Sequence, residues 1–500
     1  MVNTHDRKSA SIRPPRPDPD NVAPVLNGAE PAAPIVAWPL LRLMLVGLGI
    51  SVVPLDTAVN IAFPDITSSF GVAIPMIQWV VICYVLTHAG LMLAFGRVGD
   101  MWSHGTVFRA GLAWSVASFL LCAAAPSFGW LLFFRFLQGI GAGLIISCAP
   151  ALVISLYPEA RRSHALGIFT LMFAVGSALG PLVGGALVAR WGWPGVFWFR
   201  APIALTSLLF LRGLPQGIGA GRHQRFDVAG AALLAVGLTG LLLAVNALPR
   251  LRGGDYLALF LIPAAGASLV AFVWWEGRAS QPIVRVELFR KAAFAIVNLA
   301  SALMYMVTFS VLLFAPYFLV RHTAMPLPLA GAVLATGFVA MAAASPLAGA
   351  VVGRLGAERI APLGALSTGA GLFLVGSWQP DTALSMMVLS LSLHGLGLAF
   401  FQVAYMEIVI AASPVADRGV AGSLSMLTRT IGTVTGAAVL TLGFQAIQSA
   451  ARGGGAGEAQ AFLAAFHAMF HLAGIAAAGV GALLAWSALR HAVAPHRRGL

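Results

Sequence analysis

The sequence predicts an all-α membrane protein with fourteen transmembrane helices. Of its 500 residues, 59% are hydrophobic and only 9% are charged, and the mean hydropathy is +0.88. An average soluble domain carries about 25% charged residues. The apolar residues are grouped into runs of about 17–29 residues, which are long enough to cross a hydrocarbon core of about 30 Å.

The elements follow one another in a simple order. Residues 1–37 are rich in proline and charge and contain no apolar run, so we predict a disordered cytoplasmic tail and no signal peptide. Residues 491–500 form a second, short cytoplasmic tail. The predicted spans between them are 38–62, 74–95, 107–125, 130–153, 165–188, 195–211, 228–248, 256–275, 294–319, 328–352, 360–378, 384–411, 420–447 and 461–489.

The basic residues set the orientation. With both termini inside the cell, inner segments hold 21 Lys and Arg residues and outer loops hold five. This asymmetry favours cytoplasmic termini under the positive-inside rule. The bias of 28 Arg to 2 Lys is typical of a GC-rich bacterial genome, so we expect a bacterial cell (inner) membrane.

Several other classes of function are excluded. The formal charge of +13 is spread between apolar segments and forms no basic face, so no nucleic-acid partner is expected. Neither lysine, Lys8 or Lys291, follows the glycines of a phosphate-binding loop. No loop is long enough to house a catalytic domain, so we expect no enzyme and no cofactor. An ion gradient must therefore supply the energy for uphill transport.

Two carboxylates, Asp56 and Glu407, lie inside apolar runs. A charged side chain at the centre of a bilayer costs roughly 2.5–3.5 kcal/mol on insertion scales, so such acids are candidate proton or cation sites. Most of the remaining acids lie in tails and loops.

Several motifs resemble one family. Residues 55–64, LDTAVNIAFP, are similar to the first-helix signature of the fourteen-span drug:proton antiporters of the major facilitator superfamily. Residues 135–143 resemble the fourth-helix motif of the superfamily, and residues 176–185 resemble its fifth-helix antiporter motif. The resemblance covers about residues 40–490 and includes residues 79–86, 226–230, 288–290 and 395–400.

The resemblance implies two six-helix bundles over 38–212 and 292–490, with two inserted helices over 228–275. Transport would proceed by alternating access, as one bundle rocks against the other. Spans 1, 4, 9 and 12 would line the cavity. We expect a monomer whose partners are protons, a small hydrophobic substrate and the lipid bilayer.

Asp56 and Arg135 form the predicted proton-coupling pair. Each lies roughly 8–9 Å below the outer end of its span at 1.5 Å per residue, so the two can share a level. A nearby guanidinium favours the ionised carboxylate, and its removal favours the protonated form. The alternative is a permanent salt bridge that holds the bundle together.

The predicted substrate contacts lie on spans 1, 4, 12 and 13. They are Asn60, Gln138, Gln402, Tyr405, Glu407 and Arg429. Glu407 stands where the family usually has an apolar residue, among aromatic residues that suit a cation. Glu407 and Arg429 form a second possible pair. Glu407 either contacts a cationic substrate or is a near-interface residue that snorkels or is neutralised by Arg429.

The fifth-helix motif predicts a packing face. Its residues are Gly176, Gly180, Pro181, Gly184 and Gly185. Small residues four apart let helix backbones approach closely, and a proline within the helix bends it where a neighbour can satisfy the freed carbonyl. The alternative is ordinary small-residue packing.

The predicted gating loop after span 2 keeps Gly96, Arg97 and Asp100 but lacks other basic residues of the family pattern. Its role as a charge relay is therefore in doubt. Arg200 stands where the family commonly has Asn, and we predict that it snorkels at the outer end of span 6.

The histidines predict no metal site. His467 and His471 have the spacing of a metal pair, but no third ligand is evident. His88 and His394 are expected to form hydrogen bonds between helices and not to carry protons.

The leading hypothesis is a proton-coupled antiporter that exports hydrophobic or cationic drug-like compounds or secondary metabolites. An alternative within the same fold is a carrier for one sugar or organic acid. A sensor or scaffold is disfavoured because no soluble domain is attached.

Overall fold

The computed structural model describes residues 39–155, 162–211, 227–247, 256–279, 286–323, 325–412 and 418–493. Every regular element in these ranges is helical, so the all-α prediction is confirmed. The predicted N-terminal tail and most of the C-terminal tail lie outside the described residues.

The chain forms seventeen described α-helices, several of them short pieces of one broken span. In order they are α1 Pro39–Ser51, α2 Ala58–Ile61, α3 Phe63–Phe70, α4 Gln78–Trp102, α5 His104–Ala123, α6 Phe128–Ser155, α7 Arg162–Trp191, α8 Gly195–Trp198, α9 Arg200–Phe210, α10 Val228–Ala247, α11 Leu257–Glu276, α12 Ala292–His322, α13 Leu327–Leu355, α14 Ala357–Val375, α15 Leu384–Ala412, α16 Arg418–Gly453 and α17 Glu458–Val493.

Nine stretches of the described chain are long and apolar enough to cross a membrane. They become ten when Phe63–Phe70 and Ile74–His88, which meet at a bend of 116°, are counted as one span. Gly195–Phe210 is apolar but shorter. Length and composition therefore support a multi-pass membrane protein, with fewer spans in the described residues than the predicted fourteen.

The long helices pack in two groups joined by one apolar core. Helices α1 to α9 pack on one another, with α6 between α4 and α5, while α14 packs between α15 and α17 in the group formed by α12 to α17. Helices α10 and α11 pack mainly on each other, and α10 also contacts α4 and α16. Buried residues of both groups, such as Phe63 and Tyr317, belong to the same core cluster.

The first predicted span is broken. Met44–Ile61 is long and apolar enough to cross a membrane, which supports the predicted span over 38–62. The span is not one continuous α-helix, because α1 ends at Ser51 and a 3-10 turn over Pro54–Thr57 precedes α2. Pro54 has no N–H to continue the helix, and the Val53 N–H donates to the Ile50 carbonyl at 3.1 Å. This break places Asp56 on a tight turn.

The second span is longer than predicted. Helix α4 continues to Trp102, so residues 96–100 are helical and do not form the predicted gating loop. The turn comes at Ser103, whose hydroxyl accepts a hydrogen bond from the Thr106 N–H at 3.3 Å and caps α5. The side chains of Gly96, Arg97 and Asp100 lie outside the described residues.

The two groups meet at the predicted outer end. The Tyr317 hydroxyl on α12 donates to the Phe63 carbonyl at 3.4 Å. The Arg321 guanidinium donates to the Thr67 hydroxyl at 3.1 Å and to the Pro64 carbonyl at 3.4 Å. These contacts tie the end of α12 to α3.

Candidate functional site

One carboxylate, Asp56, is held by two arginines in the first helix group. Arg135 forms a bidentate pair with it, at 2.6 Å from Nη1 to Oδ1 and 2.8 Å from Nη2 to Oδ2. Arg200 Nη1 donates to the same Oδ1 at 2.6 Å. Both arginine side chains are fully buried, whereas the Asp56 side chain is 13% exposed. The predicted pairing of Asp56 with Arg135 is present, and a second guanidinium joins it.

Arg135 has further partners besides the acid. Its Nε donates to the Val80 carbonyl at 2.8 Å, and its Nη1 also donates to Gln138 Oε1 at 2.8 Å. Its guanidinium lies 4.4 Å from the Tyr84 ring centre, within cation–π range. The guanidinium is therefore positioned by two helices, α4 and α6, and it keeps contacts even without the carboxylate.

Gln138 belongs to this cluster and does not line a cavity. It is buried, and its Nε2 donates to Asp56 Oδ1 at 3.0 Å. In this structure its amide orients the acid, and its contact with substrate stays a prediction.

Arg200 does not snorkel, and that prediction is wrong. Its Nε donates to the Val196 carbonyl at 3.1 Å, and its guanidinium lies 4.6 Å from the Phe119 ring centre and 5.5 Å from that of Phe197. In a low-dielectric interior an ion pair is stronger than in water, and here Asp56 is within reach. Sequence reasoning missed this contact because the two residues are 144 positions apart.

Helix α7 packs against the broken first span, as its glycine motif predicts. A Cβ at Gly176 would lie 2.8 Å from Pro54, and one at Gly184 would lie 2.9 Å from Ile61. A Cβ at Gly180 would overlap the Thr57 hydroxyl. Only glycine permits this close approach along the turn that carries the acid.

Pro181 leaves one carbonyl of α7 without its helical donor. A proline four residues on cannot donate to the Ser177 carbonyl. The Thr57 hydroxyl lies 3.0 Å from that carbonyl and 3.0 Å from the Pro54 carbonyl, so its one proton is shared between them and a neighbouring segment supplies the missing donor. The same helix contacts the second group, because a Cβ at Gly331 of α13 would overlap the Pro181 carbonyl and one at Gly185 would overlap Leu327.

We expect Thr57→Val to lower the thermal stability of the protein. Valine has nearly the same shape but no hydroxyl, so the Ser177 carbonyl becomes a buried acceptor without a donor, at a cost of about 1–3 kcal/mol. Thr57→Ser keeps the hydroxyl and is the matched control. Thermal unfolding of the purified protein measures the difference, and equal midpoints for wild type and Thr57→Val would refute the capping role.

Tyr405 lies inside the second group and not at a cavity surface. It is 1% exposed, and its hydroxyl donates to Asn298 Oδ1 at 3.0 Å and lies 2.9 Å from the Thr428 hydroxyl. The phenol joins α12, α15 and α16 in this structure, and its contact with substrate stays a prediction.

Glu407 and Arg429 do not form the predicted pair. Both side chains are exposed, and neither forms an ion pair among the described residues. The Arg429 guanidinium instead lies 5.3 Å from the Tyr305 ring centre on α12. Of the remaining candidates, Gln402 is half-buried and Asn60 is buried one helical turn beyond Asp56.

The histidines are used in packing. His467 Nε2 lies 2.7 Å from the Trp378 carbonyl, and His471 Nε2 lies 3.4 Å from the Ser377 hydroxyl. The described residues contain no group of three side chains suited to a metal ion. His88 Nδ1 lies 3.2 Å from the Tyr84 carbonyl within its own helix, so the expected hydrogen bond between helices is replaced by a local one.

Comparison with known proteins agrees with this architecture. The family model described as Major Facilitator Superfamily matches residues 43–284 and 297–499. The multidrug resistance protein Stp of Mycobacterium tuberculosis is 31% identical over 406 residues, which are 80% of this chain and 75% of that protein. The tetracenomycin C resistance and export protein of Streptomyces glaucescens is 28% identical over 408 residues, covering 81% of this chain and 75% of that protein.

A solved structure shares the fold. The crystal structure of the peptide transporter POT in complex with sulfate has a TM-score of 0.69 and 18% identity, and it covers 91% of this chain and 94% of that chain. The family match spans most of the sequence. The chain therefore belongs to the major facilitator superfamily, and the relatives reported above are named as multidrug resistance and antibiotic resistance and export proteins.

Proposed function

We propose that the protein is a proton-coupled antiporter of the fourteen-span type. It exports hydrophobic or cationic drug-like compounds or secondary metabolites across a bacterial cell membrane, with both termini in the cytoplasm. Its relatives are resistance and export proteins for drugs and antibiotics, which supports the drug-exporter assignment. The two helix groups correspond to bundles over 38–212 and 292–490, with α10 and α11 as the inserted pair.

The observation that carries the proton coupling is the Asp56 cluster. A lone carboxylate in an apolar span is a candidate proton site, and this one is partly exposed while its two cationic partners are fully buried. Each arginine has other contacts, through the Val80 carbonyl for Arg135 and the Val196 carbonyl for Arg200. Protonation of Asp56 therefore leaves neither guanidinium without partners.

The contacts between the two groups suggest how the cycle proceeds. Arg321 reaches Thr67, and α7 packs on α13 along Pro181 and Gly331, all near the predicted outer end. We assign this arrangement to a state closed to the outside. Opening to the outside must break these contacts, and α7 links them directly to the turn that carries Asp56.

The function is tested with purified protein in lipid vesicles. Vesicles loaded with ethidium, a permanent cation, are compared with vesicles loaded with Nile red, a neutral hydrophobic dye. Dye should leave faster when the proton concentration is higher outside the vesicle, because protons moving inward drive dye outward. This acceleration should vanish when a protonophore is added. An efflux rate that is the same with and without the proton gradient, for both dyes, would contradict the proposal.

We expect Glu407→Gln to reduce ethidium transport while leaving Nile red transport nearly unchanged. Glu407 is an exposed acid on α15 with no ion pair among the described residues, so it is available to a cation. Loss of a charge-assisted contact costs roughly 1.5–3 kcal/mol, or about 10- to 150-fold in affinity. The apparent affinity for each dye measures this effect. An equal loss of apparent affinity for both dyes would make Glu407 a coupling or structural residue. Unchanged affinity for both would support the alternative that it snorkels near the membrane interface.

A further inference from the structure

The second guanidinium on Asp56 is a feature of this chain that the proposed function does not require. We propose that Arg200 is a positioning residue that sets the pH at which Asp56 exchanges its proton. This proposal rests on the proposed role of Asp56 as the proton carrier.

Arg135 alone meets the structural need of the carboxylate. It provides both hydrogen bonds of a planar fork, at 2.6 and 2.8 Å, and a full opposite charge. Arg200 adds a second positive charge at 2.6 Å from the same oxygen. The cluster thus contains one carboxylate and two guanidiniums, which leaves one positive charge without a negative partner. An unpaired charge is costly in a buried site. A stability role gives no reason for this excess.

The surroundings of Asp56 provide no second acid to balance Arg200. Helix α4 contributes Tyr84 and His88, which are the titratable groups nearest the cluster on that side, and α5 contributes Cys122 through its contact with Gln138. The face of α7 that packs on this turn presents Gly176, Gly180 and Gly184. Among the described residues, the charges that face Asp56 are therefore the two arginines.

Arg200 is held in place independently of Asp56. Its Nε bond to the Val196 carbonyl and its contact with the Phe119 and Phe197 rings fix the guanidinium plane. One of its nitrogens, Nη2, is buried and has no hydrogen-bond partner among the described residues. Arg200 therefore donates to Asp56 through Nη1 while its Nη2 donor stays unsatisfied. This arrangement is expected if the positive charge of Arg200 matters more than its full set of hydrogen bonds.

The consequence is a shift of the working pH. An arginine beside an aspartate typically changes its titration by about 1–3 pH units. Removing Arg200 while Arg135 remains should move the midpoint of Asp56 titration to higher pH by about that amount. A lysine at the same position keeps the charge and should stay close to wild type.

The test is a direct titration of the carboxyl group in the full-length protein in lipid. Infrared difference spectra report the carbonyl stretch of a protonated carboxyl, and the band missing from Asp56→Asn belongs to Asp56. The band midpoint is measured against pH for wild type, Arg200→Gln, Arg200→Asn and Arg200→Lys. Arg200→Asn serves as a second neutral variant with a shorter side chain.

The expected result is a midpoint raised by about 1–3 pH units in the two neutral variants and nearly unchanged in Arg200→Lys. Unchanged midpoints in the neutral variants, with wild-type thermal stability, would overturn the proposal. The titration needs no substrate, so its outcome is separate from that of the proposed function. If Asp56→Asn keeps coupled dye efflux, the proton-carrier role fails even where the Arg200 shift is observed.

Discussion

Asp56→Asn is expected to abolish proton-driven efflux. The substitution keeps the size of the side chain and one acceptor oxygen but removes the group that titrates. Efflux of ethidium from vesicles with an imposed proton gradient should fall to the rate seen with a protonophore. The protein should still fold and insert, because both guanidiniums keep their backbone carbonyl partners, although its thermal stability should fall by about 3–5 kcal/mol for a broken buried pair.

Asp65→Asn provides the matched control for this variant. Asp65 is nine positions further along the chain, on α3, and its carboxylate accepts a hydrogen bond from the Trp193 N–H at 2.7 Å. An amide oxygen can accept the same bond, so coupled efflux should persist. Wild-type proton-driven efflux in Asp56→Asn would eliminate the proton-carrier role.

Gly180→Leu is expected to stop transport by forcing α7 away from the first span. A Cβ at this position would overlap the Thr57 hydroxyl and lie 2.9 Å from the Ala58 nitrogen. Backbone atoms cannot move aside as a flexible side chain can, and overpacking typically costs about 1–3 kcal/mol. We expect stalled or leaky transport together with a lower unfolding temperature.

The control for this substitution is Gly479→Leu on α17. A Cβ at Gly479 meets no atom within 4 Å, so leucine there should be tolerated. Dye efflux and thermal unfolding of both variants separate close packing from a general effect of leucine. Normal transport by Gly180→Leu would show that the approach of α7 to the Asp56 turn is not required.

The sequence predicts the helices well because apolar run length and membrane thickness are linked. It also predicts the level shared by Asp56 and Arg135, since rise per residue converts position into depth. The break at Pro54 was missed because a proline near the middle of an apolar run does not alter its hydropathy. In the structure that break gives Asp56 its position on a tight turn.

The side-chain partners were harder to predict than the helices. Depth alone does not say which face of a helix a residue occupies, so it could not predict that the Tyr405 hydroxyl joins α12, α15 and α16. Glu407 and Arg429 were paired because they share a level, but Arg429 faces Tyr305. Arg200 lies far from Asp56 in sequence, and only the packing of α9 beside the broken span brings them together.

The most direct test of the account measures proton movement itself. Vesicles containing the protein and a trapped pH-sensitive dye are given an ethidium gradient without any imposed pH gradient. Ethidium moving down its gradient should drive protons in the opposite direction, and this signal should be absent in Asp56→Asn and present in Asp65→Asn. Ethidium flux through the wild-type protein without proton movement, or an undiminished proton signal in Asp56→Asn, would contradict the central claim.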